Sequence, residues 1–83
     1  MPITQWWVYI LRCADGSLYT GICTNVERRV EEHNSSTKGA KYTRARRPVK
    51  LVYQEQSESR SAASKREAEI KKLPRAKKLA LLS

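Results

Sequence analysis

"SLYTGICTNVERRVEEH", residues 17–33, decides how this chain is built. Its first half, LYTGIC at 18–23, has the aromatic and β-branched content of a strand. Then the period changes. Thr24 with Glu27 three residues later has the spacing of a capping box, which satisfies free N–H groups at a helix start. A helix from there to about Glu32 or His33 places Val26, Arg29, Val30 and His33 on one stripe at i, i+3, i+4 and i+7. Arg28, Glu31 and Glu32 fall on the outer face, and Asn34-Ser35-Ser36 stops the helix. The stripe that should enter the core thus carries a cation and an imidazole. In 83 residues every inward position matters, because a small domain buries only a modest share of its surface.

Two readings of that stripe stand side by side. In one, Arg29 snorkels to solvent and His33 sits at a helix C-terminus, where positive charge is favourable. In the other, the pair faces a site over the sheet. An arginine fork matches phosphate oxygens, and a neutral histidine can take a proton or hold a water.

Working outward, WWVYILRC at 6–13 reads as a strand and ADGS at 14–17 as a turn, so the chain opens with a β-hairpin. A two-residue Asp15-Gly16 loop would pair residues summing to 31; a three-residue loop with Gly16 left-handed would pair residues summing to 30. A slip of one residue swaps the faces. The three-residue register gives a continuous apolar face of Val8, Ile10, Leu18 and Ile22 and puts Tyr9 and Tyr19 together on the other, so it is the one expected. Gly21, a strand glycine, marks close approach by a backbone or ligand.

Residues 34–48 form a long connection with five basic side chains, Lys38, Lys41, Arg44, Arg46 and Arg47, and one aromatic, Tyr42. A loop of that length in a small domain is usually functional or mobile, and a helical turn fits around Ala40–Ala45. VKLVYQ at 49–54 alternates as a third strand. A helix over about 60–72 follows, N-capped within Ser57–Ser61, with a stripe of Ala63, Arg66, Glu67, Ile70 and Leu73. Pro74 ends it, and a short terminal helix packs Ala76, Leu79 and Ala80. Glu67 on an apolar stripe needs a partner, since buried charge is costly unless paired or metal-bound. Arg29 or a divalent ion would serve, and Mg²⁺ often takes just one or two carboxylates plus substrate phosphates.

The chain reads as one domain over residues 1–83, an α/β fold of the α+β type with a three-stranded antiparallel sheet flanked by three or more helices. Seventeen Lys and Arg against eight Asp and Glu give +9, all of it C-terminal: residues 1–33 carry −1 and residues 34–83 carry +10. A one-signed field of that kind suits a polyanion, with nucleic acid the first candidate. No stretch approaches the ~18 apolar residues of a membrane span. The N-terminus lacks the features of a signal peptide. Cys13 and Cys23 complete no metal or disulfide pattern, so buried free thiols and a cytoplasmic setting are expected.

Taken together, Tyr9, Tyr19-Thr20-Gly21, Arg29, His33 and Glu67 occur in an order that resembles the GIY-YIG nuclease superfamily. The stretches VYILRCADGSLYTGI, ERRVEEH, KGAKYTR and KREAEIKKL are similar to its small stand-alone bacterial members, over residues 6 to about 80. Trp7-Val8-Tyr9 lacks the leading glycine of the first signature, and Thr20 stands in the middle of the second; both reactive tyrosines remain. The resemblance implies a metal-dependent endonuclease hydrolysing phosphodiesters, DNA ahead of RNA, with little sequence specificity. It implies Tyr9 and Tyr19 around the attacking water, Arg29 on the phosphate, His33 beside it, and Glu67 holding one Mg²⁺ or Mn²⁺. It places the site against the sheet, between the two helices. Lys38, Lys41, Tyr42, Arg44, Arg46 and Arg47 would bind the nucleic acid. A protein partner would supply specificity. The alternative is a non-catalytic nucleic-acid-binding or protein-interaction module on the same scaffold.

Overall fold

The computed structural model describes residues 5–35 and 38–82. Strands β1 (Trp6–Arg12), β2 (Leu18–Cys23) and β3 (Lys50–Ser57) form an antiparallel sheet in the order β2-β1-β3. Helices α1 (Val26–Ser35) and α2 (Lys41–Arg44) lie between β2 and β3 in sequence; α3 (Arg60–Lys71) and α4 (Arg75–Leu81) follow β3.

The hairpin takes the three-residue loop. Trp7 pairs with Cys23 and Arg12 with Leu18, both summing to 30, and Gly16 sits at φ 85°. A left-handed residue closes such a loop, and glycine alone enters that region without steric cost. The register separates the side chains into two sets. Val8 and Ile10 face one way with Leu18 and Ile22; α3 covers them with Ala63 and Ile70. Tyr9 and Leu11 face the other way with Tyr19 and Cys23; α1 covers them with Val26 and Val30. Val8, Ile10, Ala63 and Ile70 are fully buried. Burial of an aliphatic side chain contributes about 1.5–3 kcal/mol, so this face anchors the domain. Cys13 and Cys23 are buried free thiols.

Four local expectations need correction. The cap of α1 is Asn25, whose Oδ1 accepts the Arg28 N–H at 3.0 Å; Thr24 is exposed, because β2 runs to Cys23 and the turn needs one more residue. The helix also extends through Ser35. Asn34 does not stop it but works from within it: the amide donates to the Val49 carbonyl (3.0 Å) and accepts the Val49 N–H (2.7 Å), mimicking a neighbouring strand. Ser36 of the expected stop lies outside the described residues. Strand β3 is longer than 49–54, ending at Ser57, and Ser59 caps α3 by accepting the Ala62 N–H at 3.1 Å. In α4, Ala76, Leu79 and Ala80 are exposed, and Leu81 and Leu82 pack instead. Arg75 donates to the Gly16 carbonyl (2.9 Å), which moors the start of α4 at the hairpin turn. Among the described residues no helix is long and apolar enough to cross a membrane.

Candidate active site

The two polar residues on the α1 stripe are there for different reasons. His33 is completely buried, in the last turn of α1, under the Tyr9 face of the sheet. Its Nε2 lies 2.9 Å from the Tyr9 hydroxyl and its Nδ1 2.8 Å from Thr43 Oγ1. Thr43, also fully buried, is brought in by α2. Its hydroxyl has one proton, which goes to the Ala40 carbonyl at 2.9 Å. Its oxygen therefore accepts from Nδ1–H, and Nε2 accepts the Tyr9 O–H. The Ala40 N–H lies 3.4 Å from Nδ1, a longer contact that the Nδ1–H tautomer leaves unused. The result is a buried chain, Tyr9–His33–Thr43–Ala40, with every polar atom used.

Burial, with the nearby Arg29 and Arg47 charges, holds the His33 pKa down at about 4, so the ring is neutral. Burial likewise pushes the Tyr9 hydroxyl well above its ordinary value, against the pull of Arg29. Tyr9 is thus a fixed neutral donor. Gly21 explains how it fits: a Cβ there would stand 2.5 Å from the Tyr9 oxygen and 2.6 Å from Cζ. The close approach that the strand glycine signalled is that of the Tyr9 ring.

Tyr19 is half-buried beside Tyr9, with ring centroids 6.5 Å apart, and its ring meets His33 edge-on at 5.2 Å. Among the described residues nothing hydrogen-bonds its hydroxyl, and that hydroxyl is not buried. The two signature tyrosines are therefore unequal: Tyr9 is committed inward, and Tyr19 is open to a substrate or water.

Arg29 lies at the mouth of this cluster, its side chain 28% exposed. Nη1 donates to Glu32 Oε1 (3.0 Å) and to the Lys38 carbonyl (2.8 Å). Burial opposes its charge, but the hydrogen bonds to Glu32 and Tyr9 outweigh that and hold the guanidinium charged. Arg29 in turn holds the Glu32 carboxyl below its ordinary range. Glu32, expected on the outer face, is half-buried as the residue that aims Arg29. The two are an i, i+3 pair on α1, a spacing at which helical side chains meet, so the sequence did carry this signal.

The basic connection divides. Arg46 donates to Asp15 Oδ2 (3.0 Å) and to the Tyr42 carbonyl (2.8 Å), and its guanidinium stacks 3.9 Å from the Tyr42 ring centre. Tyr42 also stacks on Tyr19 at 5.9 Å and 25°. Arg47 donates to the His33 carbonyl at the end of α1. Arg46, Arg47 and Tyr42 thus build the wall of the site, while Lys38, Lys41 and Arg44 are exposed around it.

Glu67 is not brought against this group from above. Helices α1 and α3 pack on opposite faces of the sheet, so the expected position between the two helices is corrected. At about 3.6 residues per turn, Arg66 and Glu67 fall on opposite flanks of the Ala63–Ile70 stripe. Arg66 reaches Glu55 on β3, at 3.0 and 3.2 Å. Glu67 therefore faces the other flank, toward β2, the edge strand that carries Tyr19 and Gly21 on its far side. It is half-buried and paired with Lys71 at 3.4 Å. Sequence reasoning missed Thr43 and the Tyr53–Glu55–Arg66 network; strand alternation was a signal for the latter, since Glu55 pairs with Val8 and so faces α3.

A model of the GIY-YIG catalytic domain family matches residues 5–80. The chain belongs to the GIY-YIG family. GIY-YIG relatives designated UPF0213 proteins include one from Desulfotalea psychrophila, 62% identical over 77 residues (93% of this chain, 70% of that one). Another, from Syntrophus aciditrophicus, is 58% identical over 76 residues (92% and 87%). The solution NMR structure of the UPF0213 protein BH0048 from Bacillus halodurans superposes with a TM-score of 0.59 at 49% identity, covering 93% of this chain and 81% of that one. That of EF2693 from E. faecalis gives 0.60 at 51%, covering 89% and 78%. The three-stranded antiparallel GIY-YIG sheet with helices on both sides is thus the fold of this chain.

Proposed function

We propose that this GIY-YIG domain hydrolyses phosphodiester bonds of nucleic acid, DNA in preference to RNA, with little base specificity. The observation that carries the reading is Arg29. Its guanidinium is fixed from two sides, held charged and partly exposed, and hydrogen-bonds the Tyr9 hydroxyl, beside which the Tyr19 ring lies. A preorganised cation of this kind is most useful where negative charge grows on a phosphate in the transition state.

In this reading water attacks phosphorus while the bond to the leaving oxygen breaks. Tyr19 Oη orients the water. Arg29 takes the developing charge. Tyr9, His33 and Thr43 do not touch the substrate; they fix the wall against which Tyr19 and Arg29 are set. Lys38, Lys41 and Arg44 hold the flanking phosphates, which carry affinity and its salt dependence but no sequence information.

A divalent ion fits one residue. Among the described residues no three His, Cys, Asp or Glu side chains converge, so the chain offers no all-protein cage. Glu67 offers a single hard oxygen donor, which suits Mg²⁺ or Mn²⁺ completed by waters and substrate phosphates and does not suit structural zinc. Bound there, such an ion would polarise the phosphate or acidify a bound water.

The test is cleavage of labelled linear, flapped and four-way DNA and of single-stranded RNA, with Mg²⁺, Mn²⁺ or EDTA. Metal-dependent cutting that falls at least about a hundredfold in Arg29→Ala and markedly in Tyr19→Phe is expected. Binding without cutting by the wild type would leave the non-catalytic module.

A further inference from the structure

On the Tyr9 face of the sheet, beyond the end of α1 that carries Asn25, an open cavity of about 420 Å³ is lined by Trp7, Thr24, Asn25, Val26, Glu27 and Gln54. Nothing in the proposed hydrolysis uses it. It adjoins the candidate site on two sides. Gln54 is the cross-strand partner of Tyr9, and Trp7 lies two residues before Tyr9 on the same face. The Arg29 N–H bonds the Asn25 carbonyl, so the cavity begins one helical turn, about 5.4 Å, before the Arg29 backbone, and the guanidinium lies further on, at Glu32 and the Lys38 carbonyl.

The lining selects a ligand. Trp7 is half-buried, its ring packed against the core cluster of Tyr9 and Val26 and partly open to the cavity. Polar side chains rim it: Thr24, Glu27 and Gln54 are exposed. A flat apolar floor with a polar rim fits a planar heterocycle with polar edges. The charge at the rim is negative, from Glu27, so a phosphate is disfavoured within the cavity and favoured one turn on, at Arg29. A nucleotide spanning the two would put its phosphate on Arg29 and its base on Trp7. We propose that this cavity is a nucleobase subsite, in which Trp7 stacks on a base next to the phosphate held by Arg29 and Glu27 accepts from an exocyclic amino group. Glu27 then favours cytosine or adenine over thymine, because a carboxylate pairs with an amino donor and repels a carbonyl edge.

The subsite rests on the nucleic-acid reading, and its test separates the two. Trp6 and Trp7 are the two tryptophans of the chain. Trp6 lies in the cluster on the opposite face, so Trp6→Phe leaves Trp7 as a reporter. This protein would be titrated in EDTA with single-stranded oligonucleotides of deoxycytidine, thymidine or abasic residues at equal length, following Trp7 fluorescence and, separately, anisotropy of a label on the oligonucleotide. Stacking of a base contributes about 1–3 kcal/mol, roughly fivefold to 150-fold in affinity. The expected result is strong quenching by deoxycytidine, weaker quenching by thymidine, and none by the abasic strand, which binds at least about fivefold more weakly. Glu27→Gln, at an exposed first-turn position, should erase the preference for deoxycytidine over thymidine while leaving abasic binding unweakened. Equal affinity of base-bearing and abasic strands, or binding of all strands without Trp7 quenching, would overturn the subsite and leave the nuclease reading intact. Failure of every strand to bind would overturn the subsite, and failure of a duplex of equal length to bind as well would overturn the nucleic-acid reading.

Discussion

The two faces of the sheet are equally deep and differ in what fills them. Under α3 the centre is Val8, Ile10, Ala63 and Ile70, with Thr20 beside them. Under α1 the centre includes Tyr9, His33 and Thr43, each at most 1% exposed, and each spending its polar atoms on the next. The first face gains from burying carbon. The second buries hydroxyls and an imidazole, whose hydrogen bonds each contribute only about 0.5–1.5 kcal/mol net after the loss of water. A small domain keeps such a face where it needs fixed polar geometry more than it needs stability. Helix α3 turns Ile70 into the apolar centre and carries Glu67 on the flank away from Arg66.

The contrast can be broken from either side. The largest effect is expected on the apolar face: Ile70→Ala should lose about 2–5 kcal/mol in denaturant unfolding, a large part of a small domain's stability. On the polar face, pH is the sharper probe. The folded His33 pKa of about 4 lies below the 6.5 of the unfolded chain, so the unfolded state takes up the extra proton. Stability is then full above pH 6.5 and falls as pH drops, by about 2.5 kcal/mol on reaching pH 4.5. That window lies above the titration of Asp15 and Glu32, both held below their ordinary values by hydrogen bonds, to Ser17 and Arg29 respectively. A His33→Leu variant should show a nearly flat profile across it.

Gly21→Ala probes how tightly the polar face is packed. The added methyl meets the Tyr9 ring and hydroxyl, so a loss of about 1–3 kcal/mol and a displaced Tyr9 are expected, read from the melting temperature and the Tyr9 ring resonances. The smallest effect should come from the ion pair on the other flank of α3. Arg66→Met removes a half-exposed contact to Glu55 and should cost no more than about 1 kcal/mol in the same denaturation assay.

The apolar face was legible because burial imposes a period. Ala63 and Ile70 recur at helical spacing, and the 30-sum register follows from demanding one continuous apolar face beside Gly16. The polar face was legible only as an anomaly. Arg29 and His33 broke the stripe, which marked the place without revealing the partners. Thr43 could not be read, since it meets His33 through the path of the connection between α1 and β3, and no local periodicity encodes that path, whereas Glu32 was available as an i, i+3 partner of Arg29. The same reason hid which basic residues are structural: Arg46 and Arg47 look like Lys41 in sequence, yet they are tied to Asp15 and the His33 carbonyl. Glu67 was found by its misfit on the stripe, but its flank became visible only once Arg66 was seen to reach β3.

The central claim is that one flank of α3 serves the site round the β2 edge and the other is structural. Cleavage of a labelled DNA duplex in Mg²⁺ by Glu67→Gln and Glu55→Gln, beside the wild type, tests it most directly, since the two carboxylates flank the same helix. With both variants folded, the account predicts that Glu67→Gln loses metal-dependent cutting while Glu55→Gln stays within about twofold of wild type, the exposed-pair effect being small. Equal cutting by Glu67→Gln and wild type would contradict it.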